Sequence, residues 1–151
     1  MSKSWANPTW FFFHTLVEKI NPNHYLMVKE ELMSHIKRIC SMLPCPECAH
    51  HATNYMNHII TPSTKEDCKL MLYIFHNSVN VRTNKKLYDF GEMSMYARVN
   101  FGVCYQLFRQ QFLKKTNNPK MFLESMSRTR YINDLDTWLI KNKLLIQYQH
   151  E

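Results

Sequence analysis

Cys45 and Cys48, separated by Pro46 and Glu47, are the residues of this chain best placed to do chemistry. Proline is at home in the first turn of a helix, where its missing N–H would have no partner anyway. The motif therefore predicts a helix running from Cys45-Pro46 to about His58, with both sulfurs within bridging reach. Free N–H groups and the positive end of the helix dipole stabilise a thiolate on the first cysteine. Such a pair, in its disulfide form, takes electrons from other thiols through a mixed disulfide.

Three other uses of the pair compete. Zinc would take Cys45, Cys48 and His51, but structural zinc sites bring a second ligand pair, and Cys40, Cys68 and Cys104 stand alone. Thioredoxin-like exchange needs strands alternating with helices around the motif, and the sequence shows none. Two inert core cysteines would not be expected to hold proline and glutamate between them.

A second constellation runs from Phe75 to Lys85, FHNSVNVRTNK. His76 and Asn80 are four apart and Asn77 and Asn80 three apart, so they are neighbours on a helix surface. Leu72, Phe75 and Val79 fill the adjoining apolar stripe. A histidine and two asparagines beside such a stripe are expensive to bury without a hydrogen-bonding partner. His76 alone reads as a satisfied core histidine; the whole cluster reads as a ligand site.

Helices are predicted nearly throughout to position these groups. Asn7 and Pro8 read as N-cap and first residue of a helix to about Ile20, with Trp10, Phe13, His14 and Val17 inward. A second helix spans about Tyr25 to Met42, burying Val28, Leu32, Ile36 and Ile39, and stops ahead of Pro44. Ser63 with Glu66 forms a capping box for a helix to about Val81, followed by a turn at Asn84-Lys85. One helix is expected from Gly91-Glu92 to about Lys115, a boundary at Asn117-Asn118-Pro119, and one or two helices beyond. There Leu135, Trp138, Leu139, Asn142 and Ile146 make a stripe.

Composition narrows the classes. Two glycines in 151 residues argue against Rossmann and P-loop phosphate sites and against hairpin-rich β folds. The net charge of +7 comes from scattered lysines and arginines, a solvated face rather than a nucleic-acid site. Trp10–Phe13 is too short for a signal h-region, and no run approaches the roughly 18 apolar residues of a membrane span.

Three separated motifs together resemble the Erv/ALR family of FAD-linked sulfhydryl oxidases over about residues 5 to 97. Trp10 and His14 are similar to its W-x-x-x-H opening, Cys45-Pro46-Glu47-Cys48 with His51 to its CxxCxxH, and His76-Asn77-Ser78-Val79-Asn80 with Arg82 and Lys85 to its HNxVN and following base. The doubled His50-His51, Tyr55, and the Asn84-Lys85-Lys86 ending look most like the versions encoded by large cytoplasmic DNA viruses.

The resemblance implies an all-α fold, a four-helix bundle with a fifth short helix across it, here with extra C-terminal helices. It implies FAD binding by a domain of residues 1–118. The helical extension of residues 119–151 lies outside the resemblance; its apolar stripe predicts packing on the core or a dimer interface, and without a cysteine it is expected to add no catalytic group. Cys45 is then the sulfur that substrates attack and Cys48 the flavin-proximal one. Asn7, Pro8, Thr9, Trp10, His14, Tyr55, Phe75, Val79 and Lys86 join the FAD site; His51 lies near adenine and ribose, His76, Asn77 and Asn80 contact the nucleotide, and Arg82 and Lys85 meet the diphosphate. Electrons pass from thiol-containing protein substrates, directly or through a carrier thiol protein, to FAD and then O2, giving hydrogen peroxide. A homodimer is expected, in host cytoplasm or virion, with the mitochondrial intermembrane space as the alternative location. No catalytic metal, nucleic acid or membrane span enters this scheme. The rival class is a zinc-stabilised basic helical module binding nucleic acid or protein.

Departures from the family pattern are specific. Tyr73 and Phe90 stand where many members have a structural disulfide, an exchange that an aromatic contact would compensate. Lys19 replaces a flavin-contacting tyrosine.

Overall fold

A computed structural model describes residues 3–115 and 121–146. Among the described residues there are six α-helices: α1 (Ala6–Lys19), α2 (Tyr25–Ser41), α3 (Pro46–Asn57), α4 (Lys65–Arg82), α5 (Phe101–Phe112) and α6 (Phe122–Lys141). Short 3₁₀ helices at Pro22–His24 and Phe90–Arg98 lie between them. Among the described residues the sole β-type pairing is the isolated bridge between Ile20 and Ile146. The all-α class follows from the helical apolar spacing and from the lack of glycine for tight turns.

Helix α1 is the central element, packed against α4 and α5. Phe12, Phe13, Leu16, Val17 and Ile20 are all buried, a wider apolar arc than one inward stripe, because neighbours cover it on more than one side. Helix α2 packs on α3 and buries Val28, Leu32, Ile36 and Ile39 as its periodicity requires.

Several boundaries differ from expectation. Helix α1 begins at Ala6 with Trp5 in the cap position, so Asn7 is not the cap. The Thr9 hydroxyl donates to the Trp5 carbonyl at 2.6 Å, and Asn7 and Pro8 fall inside the first turn, where a missing proline N–H does no harm. Helix α4 is capped by Thr64, whose Oγ1 accepts from the Asp67 N–H at 3.1 Å; the box is shifted by one residue from Ser63 and Glu66. The long helix expected over 91–115 is two elements. Val99 is extended, and Asn100 caps α5 with Oδ1 accepting from the Val103 N–H at 3.0 Å. That asparagine restarts the helix after the extended residue. The boundary at Asn117-Asn118-Pro119 lies outside the described residues.

Helix α6 is fastened to α2 and α5. Its Tyr131 hydroxyl pairs with His35 Nδ1 at 2.8 Å, and the Arg38 guanidinium lies 4.4 Å from the Tyr131 ring centre. Asp134 accepts from Arg38 at 3.0 Å, and Asp136 takes Arg109 at 3.1 Å. Leu135, Trp138, Leu139, Asn142 and Ile146 are all buried, four of them in the same apolar cluster as α1 and α2.

Candidate functional site

Cys45 and Cys48 form a disulfide, with Cα atoms 5.2 Å apart. Cys45 is the N-cap of α3 and its Sγ accepts from the Cys48 N–H at 3.3 Å. A helix start thus places a backbone donor on the first sulfur, the electrostatic role read from the motif. The two sulfurs face different surroundings. Cys45 is half-buried at the surface, whereas Cys48 is buried and lines a cavity between α1, α3 and α4.

That cavity collects part of the expected set. Thr9, Trp10, Cys48, Phe75, Val79, Asn80, Arg82 and Lys85 line it. Trp10 stands at 5.0 Å from Phe75 and stacks on His76 at 4.0 Å with planes 6° apart. Tyr55 stacks behind Phe75 at 4.7 Å. Arg82 ends α4, and the turn beyond it returns Lys85 to the same opening. Asn84 sits at φ 57°, the Lys85 N–H reaches the Asn80 carbonyl at 2.8 Å, and the Asn84 N–H reaches that of Val81 at 3.2 Å. This is a Schellman closure with asparagine where glycine is usual.

Behind Trp10 lies a histidine pair. His14 Nε2 and His76 Nδ1 are 3.0 Å apart. Burial, with His76 beside it, lowers His14 to about 3. Burial, with Lys85 nearby, lowers His76 to about 4. Both rings are therefore neutral near pH 7. His14 Nδ1 is buried without a partner.

Other expected residues lie elsewhere. Asn7 and Pro8 line a separate apolar groove with Phe11, Val103 and Leu107. Lys86 is exposed, away from the cavity lining. His51 is on the open side of α3, with Nε2 3.8 Å from Glu47. Asn77 uses both ends of its amide on the backbone of Tyr88, donating to its carbonyl at 2.9 Å and accepting from its N–H at 2.7 Å. It fastens the loop after α4 rather than facing the cavity.

The structure adds residues that sequence reasoning missed. Lys3, Trp5, Leu43, Ala52 and Thr83 also line the cavity, and Lys3 Nζ donates to Cys48 Sγ at 3.3 Å. Ala52 was findable, one helical turn after Cys48. Lys3 and Leu43 lie in irregular segments, where periodicity gives no signal. Tyr96 stacks on His14 at 4.8 Å and Tyr88 on His76 at 5.3 Å, completing an aromatic layer with Tyr96 from the 3₁₀ segment read as plain helix and Tyr88 from the loop before it.

An aromatic wall with Lys3, Arg82 and Lys85 around it suits a planar, anionic ligand. None of these three cations has a carboxylate partner among the described residues. The remaining thiols are poor redox candidates: burial pushes Cys40 up to about 12 and Cys68 and Cys104 to about 11. Among the described residues no three His, Cys, Asp or Glu gather as a metal site.

The model of the Erv1/Alr family matches residues 7–100. The chain belongs to the Erv1/Alr family. A FAD-linked sulfhydryl oxidase of African swine fever virus (a Malawi tick isolate) is 30% identical over 89 residues, covering 58% of this chain and 75% of that protein. A protein of Invertebrate iridescent virus 3, provisionally named a FAD-linked sulfhydryl oxidase, is 31% identical over 86 residues, covering 55% and 58%. This chain thus spans little more than half of the iridescent virus relative. Helix α6 lies beyond the Erv1/Alr match. In the family context the two departures acquire structures: Tyr73 and Phe90 meet edge to face at 5.1 Å, and Lys19 is buried, its Nζ donating to the Ala97 carbonyl at 2.7 Å.

Proposed function

We propose that this chain is a FAD-dependent sulfhydryl oxidase that makes disulfides in thiol-bearing protein substrates, with O2 as final acceptor. The observation that carries it is the placement of the Cys45–Cys48 disulfide in the wall of the aromatic, cation-rimmed cavity, Cys48 inside and Cys45 outside.

A substrate thiolate attacks Cys45 Sγ, the more accessible sulfur, and the electron pair of the broken S–S bond goes to Cys48 Sγ. A second substrate thiolate attacks the substrate's own sulfur in the mixed disulfide. The product disulfide leaves, and Cys45 is released as a thiolate. Thr9, Trp10, Phe75, Val79 and Asn80 bind and orient the planar cofactor, while Arg82 and Lys85 hold its diphosphate by fixed positive charge. His14 and His76 support Trp10 from behind and exclude water, and Tyr55 supports Phe75. The chemistry that FAD supplies when bound is acceptance of two electrons from the reduced pair and their delivery to O2 as hydrogen peroxide.

Asn77 acts in this reading through Tyr88, and Asn7, Pro8 and Lys86 fall out of the binding set. His51, exposed on the open side of α3 and outside the cavity lining, is the residue assigned to the cofactor's adenosine end. Residues 1–118 form the redox domain and residues 119–151 its helical extension. The active form is a homodimer, and the half-exposed apolar groove of Phe11, Val103 and Leu107 is the face offered for it. Clients arrive directly or through a carrier thiol protein. The viral relatives support action in host cytoplasm or virion. The zinc-module alternative loses its ligands, since Cys45 and Cys48 are joined and His51 turns to Glu47.

The test is the purified protein itself. A flavin absorbance band in stoichiometric amount, with hydrogen peroxide formed on adding dithiothreitol, is the expected result. Colourless protein carrying zinc would overturn the proposal.

A further inference from the structure

We propose that Lys3 is a catalytic residue of the thiol-exchange step, its ammonium stabilising the negative charge that arrives on Cys48 Sγ. Lys3 Nζ is 3.3 Å from that sulfur although the two residues are 45 apart in sequence. Lys3 precedes the family-matched segment, which begins at residue 7.

The electron count at the disulfide gives the reason. A substrate thiolate, its proton already lost to solvent, forms a bond to Cys45 Sγ. The Cys45–Cys48 bond breaks and its electron pair and negative charge move to Cys48 Sγ. Exchange is faster when the leaving sulfur is a more stable thiolate. Cys48 is 8% exposed, and burial alone works against that thiolate. The same fold shows how strongly: the other buried thiols, Cys40, Cys68 and Cys104, are pushed to about 12, 11 and 11.

Each sulfur of the pair has its own electrostatic partner. The α3 N-terminus serves Cys45, which accepts from the Cys48 N–H. That N–H does not point at Cys48's own sulfur, and Lys3 supplies what is missing there. The other charged groups around Cys48 are differently engaged. Glu47, on the same helix, is solvent-facing and pairs with His51. Arg82 and Lys85, from the end of α4, line the same cavity and are assigned above to the diphosphate. Lys3 is the cation that contacts the sulfur.

The inference rests on Cys45–Cys48 being the redox pair, and its test is independent of oxidase turnover. In a Cys45→Ser chain Cys48 is a free thiol, and its ionisation is followed by thiolate ultraviolet absorbance and by peptide-resolved alkylation rate across pH. The other thiols, pushed up by burial to about 12, 11 and 11, are largely protonated near pH 7 to 9, and peptide-resolved alkylation separates them from Cys48. Lys3→Gln should move the Cys48 profile to higher pH and lower its thiolate fraction at pH 7 by about tenfold, the effect of a shift of about one unit. Lys3→Arg should restore it, and added salt should narrow the gap between lysine and glutamine, since Lys3 is solvent-exposed. Superimposable profiles for Lys3 and Lys3→Gln would overturn the proposal. Protein without flavin or peroxide production would instead overturn the oxidase reading and leave this titration measurable.

Discussion

His14 Nε2 on α1 and His76 Nδ1 on α4 lie 3.0 Å apart, a hydrogen bond between two imidazoles that ties the first motif to the third. One ring donates and the other accepts, which requires that neither nitrogen of the bond be protonated beyond the single shared hydrogen. Burial enforces this, holding His14 at about 3 and His76 at about 4.

The pair predicts acid sensitivity. Both folded-state values lie below the ordinary histidine value of 6.5, so the unfolded chain binds more protons as pH drops. The stabilisation is fully present above pH 6.5 and is lost progressively as pH falls toward 4 and then 3. The melting temperature of the cofactor-free protein should decline between pH 6.5 and 5, ahead of most carboxylate titration. His76→Gln, which keeps a polar group but gains no proton, should flatten that decline. A melting temperature level over this range would contradict the placement.

The cysteines separate into two classes. Cys45→Ser and Cys48→Ser should each abolish dithiol oxidation while keeping flavin absorbance, because their task is electron transfer. Cys40→Ala, Cys68→Ala and Cys104→Ala should keep turnover and lose only the stability of a small core side chain, about 1 kcal/mol each. Peroxide assays and flavin spectra on the five variants decide it; a dead variant among the last three would reveal a second redox centre.

Binding of the cofactor should stabilise the fold by mass action. His76→Ala combined with Asn80→Ala removes the partner stacked on Trp10 at 4.0 Å and a buried amide of the cavity wall. The double variant should purify colourless with a melting temperature that added FAD no longer raises. Full flavin absorbance in that protein would refute the proposed binding site.

Tyr73 and Phe90 meet edge to face at 5.1 Å, joining α4 to the 3₁₀ segment. Such pairs contribute about 0.5–1.5 kcal/mol beyond area burial. A double-mutant cycle of Tyr73→Ala and Phe90→Ala in denaturant should return a coupling energy in that range, and zero coupling would show the contact to be incidental.

Helix α6 should matter to stability and not to chemistry. Trp138 is 5% exposed and lies against His35 with ring centres 4.8 Å apart. Trp138→Ala should cost about 3–5 kcal/mol, read from urea unfolding, with dithiol turnover per bound flavin unchanged below the new melting point. A turnover defect in folded, flavin-loaded protein would assign the extension a part in catalysis.

The sequence by itself determined the helical class, the pairing of Cys45 with Cys48 at a helix start, and the inward stripes of α2 and α6. All are local: helical periodicity, proline placement and cysteine spacing act over a few residues. It also made Phe75, Val79 and Asn80 candidates, because their spacing puts them together on one helix; Trp10 entered through the family resemblance. The tertiary structure decided which candidates share a cavity. Asn77 sits one residue from His76 and three from Asn80, yet its amide faces the loop at Tyr88; spacing gives a face, not what lies opposite it. The break at Val99-Asn100 was hidden because a side-chain cap can restart a helix without glycine or proline to mark the place. Lys3 was invisible for a plainer reason. Nothing in a lysine before the first helix encodes a contact with Cys48, and only the gathering of α1, α3 and α4 around one cavity brings its ammonium to that sulfur.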